Sequence, residues 1–376
     1  MAILVQRLPR TPTTPTAAVR HLGPQWYAAV MGTAIVGNAG AALPLDVPGL
    51  RTACTAVWAL SLLMLSALLA ARAAHWAHHR DQARAHLLDA AVAPFHGCAA
   101  MALVSVGGGA LLVGRDWIGT GAAVALGAVL FTVGTAVGLA AAVAVPYLMV
   151  VRHRIEEASP VWLLPVVAPM VSAAVGPLLV PYLPEGQSRG TLLAACHGMF
   201  GLSLLAALLI LPLVFGRLVT GGPPPPALTP ALLLVLGPLG QSTTAANAFA
   251  DAASPDVPYA GGLAVLYGVP VMGFALLWLA LAGALVVRAR RRGMCFGMTW
   301  WAFTFPVGTC VTGLEGLARH TGLVALSGAA VALYAVLVAA WLVAASGTVR
   351  GLVSGTLLAG PGGGSPEPGR GTGRTR

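Results

Sequence analysis

The chain has 376 residues, of which 57% are hydrophobic and only 9% charged, and it carries a formal net charge of +10. Soluble globular domains carry roughly 25% charged residues, so this composition, with a mean hydropathy of +0.84, excludes a soluble fold and identifies an integral membrane protein. All 21 basic residues are arginine, and their placement, not their number, decides what the charge is for.

The N-terminal stretch has an apolar start, Ala2 to Val5, that is too short for a cleavable signal, followed by a Thr/Pro/Arg-rich segment. Residues 1–21 therefore read as a disordered cytoplasmic terminus, and the first span acts as its own insertion signal. Crossing the hydrocarbon takes about 20 mostly apolar residues. Between charged or Pro/Gly-rich breaks, ten such stretches follow: 25–43, 52–74, 88–113, 118–147, 160–182, 190–215, 229–250, 260–287, 296–317 and 321–346. Residues 347–376 read as a second disordered cytoplasmic tail, rich in Gly, Pro and Arg towards its end. The membrane domain thus covers 22–346.

Arginine placement tests this count, because positive charge collects on the cytoplasmic side of a membrane protein. With the N-terminus inside, only Arg51, Arg115, Arg189 and Arg319 fall outside, so the 21 arginines divide 17 to 4. Both termini are expected in the cytoplasm and the protein in the plasma membrane. The basic balance orients the chain and meets anionic lipid, which removes the case for nucleic acid. The five cysteines, Cys54, Cys98, Cys196, Cys295 and Cys310, have no CxxC spacing and read as small hydrophobes.

Helix breakers are unevenly spread. The odd spans hold most mid-span Gly and Pro: Gly32 and Gly37 in the first, Pro94 and Gly107 to Gly109 in the third, Pro165, Pro169 and Pro177 in the fifth, Gly237, Pro238 and Gly240 in the seventh, and Pro306 and Gly308 in the ninth. Polar residues crowd there too, notably Asn38, His96, Gln241, Ser242, Thr243, Thr244, Asn247, Thr304, Thr309 and Thr312. Broken backbone and polar groups persist at membrane depth only where protein or water covers them. The odd spans are therefore expected inside, and the chain reads as five helical hairpins.

The ninth span carries the run Trp300 to Pro306, with four aromatics and a helix breaker. Trp301, Phe305, Gly308, Thr312 and Glu315 fall on one helical face. From spacing alone Phe305 is either an ordinary packing residue or a hydrophobic constriction of a conduit. Glu315 opposes anions on that face, and Arg319 four residues later is positioned to neutralise it.

Four segments, Trp26 to Thr33, Ala168 to Pro177, Gly237 to Ser242 and Trp300 to Pro306, together with the ten-span plan, give the chain a resemblance to the tellurite-resistance/dicarboxylate transporter family over residues 22–346. That family includes bacterial tellurite-resistance proteins and the plant guard-cell slow anion channel. The resemblance implies an all-α fold of ten transmembrane helices, paired as five hairpins in quasi-fivefold arrangement around a central pore, usually as a homotrimer. It implies transport of small inorganic or carboxylate anions, and it puts the family's pore-occluding phenylalanine on Phe305. The pore-lining candidates are Gly32, Thr33, His96, Pro169, Ser172, Gln241, Ser242, Thr304, Pro306, Thr309 and Thr312. The third span, with Pro94, Phe95 and His96, departs from the bacterial pattern and leaves His96 either packed or titrating in the path.

No arginine lies deep in any of these spans, so anions must be held by helix N-termini, by Thr, Ser and Gln donors and by the positive inner face. Channel and proton-coupled carrier both remain open. A membrane enzyme is the rival class, but it needs a clustered catalytic inventory, and His75, His78 and His79 with Asp81 read as a solvated loop. No cofactor and no resident metal are expected.

Overall fold

A computed structural model describes residues 22–152, 157–253, 257–355 and 357. Of the segments read above as tails, 1–21 and 358–376 lie outside the described residues, whereas residues 347–353, expected to be disordered, continue the last helix. Among the described residues there are helices and no strand. The α-helices are α1 (Tyr27–Ala42), α2 (Leu50–His78), α3 (Arg80–Leu88), α4 (His96–Gly109), α5 (Thr120–Val151) and α6 (Leu163–Val175). They are followed by α7 (Gln187–Gly221), α8 (Leu236–Asp251), α9 (Ala260–Arg291), α10 (Phe305–Thr321) and α11 (Val324–Val353).

Among the described residues, seven helical stretches are long and apolar enough to cross a membrane: those containing α2, α4, α5, α6, α7, α9 and α11. The other three expected spans centre on α1, α8 and α10, which have only 16, 16 and 17 α-helical residues. Each is preceded by a 3₁₀ segment: Pro24–Trp26, Pro226–Val235 and Met298–Phe303. The helices α4 and α6 begin the same way, from Ala93–Phe95 and Pro160–Trp162. Proline near the start of a helix loses only a donor that has no partner there, which is why Pro24, Pro94 and Pro160 sit at these openings. The sequence pattern of breakers pointed to these helices but not to the 3₁₀ form.

Burial separates two classes. In the stretches containing α4 and α6, 89% and 94% of the most apolar window is buried, against 17% to 33% in α2, α5, α7, α9 and α11. Each buried helix pairs with the exposed one that follows it: α1 with α2, α4 with α5, α6 with α7, α8 with α9, α10 with α11. The buried helices also touch in sequence, α1 on α4, α4 on α6, α6 on α8, α8 on α10, and α10 returns to α1. Their 3₁₀ openings meet one another on one face, so the five run in the same direction. The exposed helices present large apolar side chains such as Leu63, Val143, Leu209 and Leu266, a surface suited to lipid.

The outer helices also complete the hydrogen bonding of the inner ones. A π-helical turn, Ala110–Gly114, interrupts the end of α4. The indole of Trp58 on α2 donates to the Val106 carbonyl just ahead of it at 3.0 Å. Trp278 on α9 donates to the carbonyl of Leu232 in the 3₁₀ segment at 2.9 Å. Tyr334 and Trp341 on α11 donate to the Val36 carbonyl and to Thr33 Oγ1. Such donors are what irregular backbone requires in a lipid setting.

Candidate functional site

The aromatic run folds as a 3₁₀ segment to Phe303, a bend at Thr304 (φ −100°, ψ −79°) and a new α-helix starting at Phe305 with Pro306 in its first turn. Trp301 is fully buried and donates to Thr348 Oγ1 on α11. Gly32 of α1 lies against it: a Cβ there would sit 2.8 Å from the Trp301 ring and would also strike Thr304 Oγ1. Only glycine lets α1 approach the run this closely.

Phe305 is buried at the meeting point of two cavities. One has a volume of about 400 Å³ and is walled by all five inner helices, through Ile35, Asn38, Ser105, Val175, Gln241, Thr244, Asn247 and Thr312 among others, with Asp251 and Arg319 at its rim. The other, of about 20 Å³, is apolar, with Met31, Met101, Leu163, Leu164, Val167, Leu234 and Gly237 around Phe305 and Pro306. The first cavity uses the C-terminal halves of the inner helices and the second their N-terminal halves. A further cavity of about 590 Å³ opens at the face of the 3₁₀ segments, lined by Phe95, Glu157, Trp162, Arg217 and Thr299 among others.

The polar wall of the 400 Å³ cavity is organised by inter-helix bonds. Thr244 Oγ1 lies 2.7 Å from Thr312 Oγ1 and bonds the Thr309 carbonyl, joining α8 to α10. Asn38 donates to the Ser105 carbonyl at 2.9 Å and Asn247 to the Gly313 carbonyl at 3.0 Å.

Of the residues expected along a path, Phe305, Gln241 and Thr312 line this cavity and Pro306 lines the apolar one. Gly32, Thr33, His96, Pro169, Ser172, Ser242, Thr304 and Thr309 line neither. Thr33 faces Trp341 of α11, and Ser172 accepts from Thr135 of α5. Ser242, Thr304 and Thr309 bond carbonyls three residues back in their own segments. Ring nitrogen Nδ1 of His96 sits 3.0 Å from the Ala93 carbonyl. Ser105 and Asp251 were missed by the sequence reading; their signal was only one polar residue near the end of an inner span.

At the rim, Arg319 bonds Asp251 at 2.9 Å, and His320 Nε2 lies 3.3 Å from the same carboxylate. The expected Glu315–Arg319 pair exists only at 3.8 Å, and Glu315 Oε2 is buried without a hydrogen-bond partner. Packing of α8 on α10 brings Asp251 across to the guanidinium, which then contacts both carboxylates, Asp251 the more closely.

The histidines expected in a solvated loop are not in one. His75 and His78 end α2, and α3 follows after His79. The His75 ring is buried and stacks on His86 at 5.5 Å with planes 3° apart. Burial, then the nearby Arg72 and the other histidines, push His86 down to about 4. Arg72 is itself buried at the end of α2, donating to the Leu22 carbonyl, so one arginine is less exposed than its sequence position implied. Among the described residues no group of three His, Cys, Asp or Glu side chains is gathered to hold a metal ion.

A model of the SLAC1 family, described as voltage-dependent anion channel, matches residues 21–349. The chain belongs to this family. It is accordingly a multi-pass membrane protein of an anion-transporting family, with several helices long and apolar enough to span. Among curated proteins, the chain is similar to a sulfite efflux pump of Trichophyton rubrum, 27% identical over 317 residues that cover 81% of this chain and 83% of the relative. A sulfite efflux pump of Arthroderma otae is 27% identical over 320 residues, with the same coverage. An uncharacterised transporter of Methanocaldococcus jannaschii is 25% identical over 296 residues, covering 78% of this chain and 82% of its own length.

Proposed function

We propose that the protein passes small oxyanions, with sulfite as the first to test, along the axis of the inner helices, and that Phe305 occludes this path. The observation that carries the reading is that Phe305 borders both a 400 Å³ cavity walled by all five inner helices and an apolar cavity on its other side. A ring of close-packed apolar side chains excludes water and with it hydrated ions, which is how a hydrophobic constriction closes a pore. Ten membrane passes in five hairpins are supported by the closed succession of inner-helix contacts. Cytoplasmic termini in a plasma-membrane protein are supported by the arginine division, and a homotrimer by family resemblance alone. Sulfite is favoured among halides, oxyanions and dicarboxylates by the relatives named sulfite efflux pumps.

Purified protein in liposomes, challenged with sulfite, nitrate, chloride and malate, tests the reading. Wild type is expected to move sulfite, and Phe305→Ala to move it at least about tenfold faster, since the constriction is what limits passage. Unchanged flux in well-folded Phe305→Ala protein sinks the gate. A second reading, a proton-coupled carrier, is favoured by Glu315, a buried carboxylate with one oxygen unpartnered. Flux that stops when the proton gradient is collapsed, and loses that dependence in Glu315→Gln, would establish it.

A further inference from the structure

The 400 Å³ cavity has one cationic and one anionic side chain among its described lining residues, Arg319 and Asp251, and the two are bonded to each other. We propose that Arg319 is the anion-capture residue of this cavity and that Asp251 is an internal occupant of its binding fork, which an arriving oxyanion displaces. The inference rests on the transport reading above and names the residue that recognises the substrate.

Three features of the pair make it displaceable. First, Arg319 and Asp251 are 48% and 46% exposed, so water screens their contact and the pair adds little net stability. Second, Asp251 is the last residue of α8, where the helix carbonyls already concentrate negative charge. A carboxylate is disfavoured there and depends on Arg319 for compensation. Arg319, by contrast, sits in the last turn of α10, where the dipole favours a cation with or without Asp251. Third, neither charge is left bare by the exchange. Asp251, 46% exposed, is met by water, and Arg319 keeps Glu315 Oε1 at 3.8 Å beside the incoming anion.

The guanidinium also sets the chemical class. Its planar fork offers parallel N–H donors that match two oxygens of a carboxylate or a comparable oxyanion, and a spherical halide engages such a fork less well. The ligand class is therefore a small oxyanion with at least two acceptor oxygens. From the rim, the Thr244 and Thr312 hydroxyls and Gln241 line the route to Phe305. Arg217, which lines the 590 Å³ cavity on the opposite face, is a poorer candidate. It is 19% exposed and tied both to Glu157 at 2.6 Å and to the Gly222 carbonyl at 3.0 Å.

The test is sulfite and chloride flux against anion concentration in liposomes holding wild type, R319Q, R319K or D251N, each checked as monodisperse before reconstitution. R319Q is expected to raise the half-saturating sulfite concentration about tenfold and the chloride value less, since it removes a charge-assisted bidentate contact. R319K should retain part of the affinity and lose sulfite-over-chloride preference. D251N, which frees the fork, should lower the half-saturating sulfite concentration severalfold. If R319Q does not fold, R319K and D251N decide alone. Unchanged half-saturation in R319Q, or in D251N, overturns the proposal while wild-type flux leaves the transport reading standing. Absence of sulfite flux from wild type and from Phe305→Ala alike overturns the transport reading itself and the capture role with it.

Discussion

The two cavities that meet at Phe305 are walled by the same inner helices but differ in kind. On one side about 400 Å³ is lined by Asn, Gln, Ser and Thr set among Ile, Leu, Val and Ala, with an ion pair at the rim; on the other about 20 Å³ is enclosed by Met, Leu and Val. The helices run in one direction, so the difference largely follows their length: N-terminal halves supply apolar residues that pack tightly, and C-terminal halves bring most of the polar residues, set among apolar ones that stay apart. Phe305 borders both.

Joining the two sides is the strongest way to break the contrast. Phe305→Ala should raise sulfite flux in liposomes by about tenfold or more, whereas Phe305→Leu, which still excludes water, should change it little. Next in size is Gly240 on α8, where a Cβ would sit 2.6 Å from the Cys310 backbone nitrogen. Backbone cannot yield as a side-chain tip does, so Gly240→Ala should force α8 from α10 and destabilise the protein by roughly 1 to 3 kcal/mol, seen as a lower melting temperature in detergent. A smaller effect is expected within the polar wall. Thr244→Val removes the bond to Thr312, costing about 1 kcal/mol of stability and slowing sulfite entry without opening the constriction.

The smallest expected effect lies off the path, at the histidines beside α3. His86 is held neutral, its value pushed from 6.5 down to about 4 by burial and neighbouring positive charge. The unfolded chain takes up its proton first, so this contribution to stability is complete above 6.5 and is lost as the pH falls from 6.5 through 4. His86→Phe should flatten the fall in melting temperature across that window. If the wild-type melting temperature is flat there, the histidine is more solvated than its packing on His75 implies.

Much of the architecture was legible in order along the chain. Gly and Pro at mid-span positions marked α1, α4, α6, α8 and α10 as the buried set, because a broken helix cannot face lipid. The 3₁₀ openings were not legible. Pro226 to Val235 carries two prolines but no signal for 3₁₀ over α geometry, and its Leu232 carbonyl is bonded by Trp278 from another helix. Among the candidate path residues, Phe305, Gln241 and Thr312 were found on the cavity from pattern and resemblance. Thr33, Ser172 and Ser242 were chosen by the same pattern, yet Thr33 and Ser172 meet outer helices and Ser242 bonds the Leu239 carbonyl of its own helix, since a polar residue in an inner helix is satisfied equally by an outer helix or by its own backbone. The rim was only partly read, for a related reason: helical spacing gave Glu315 with Arg319, which stand 3.8 Å apart, but spacing within one helix says nothing of Asp251, which a neighbouring helix brings to 2.9 Å.

By itself, then, the sequence determined that the protein lives in a membrane, that alternate helices are buried and that the run at Trp300 to Pro306 is special. Those conclusions need only local quantities: hydropathy, helix breakers and charge order. The tertiary structure decided that α10 closes back on α1, that Phe305 stands between a polar and an apolar cavity, and that Asp251 occupies Arg319. Each of these depends on side chains brought together from distant parts of the chain, where packing selects among partners that local sequence leaves equivalent.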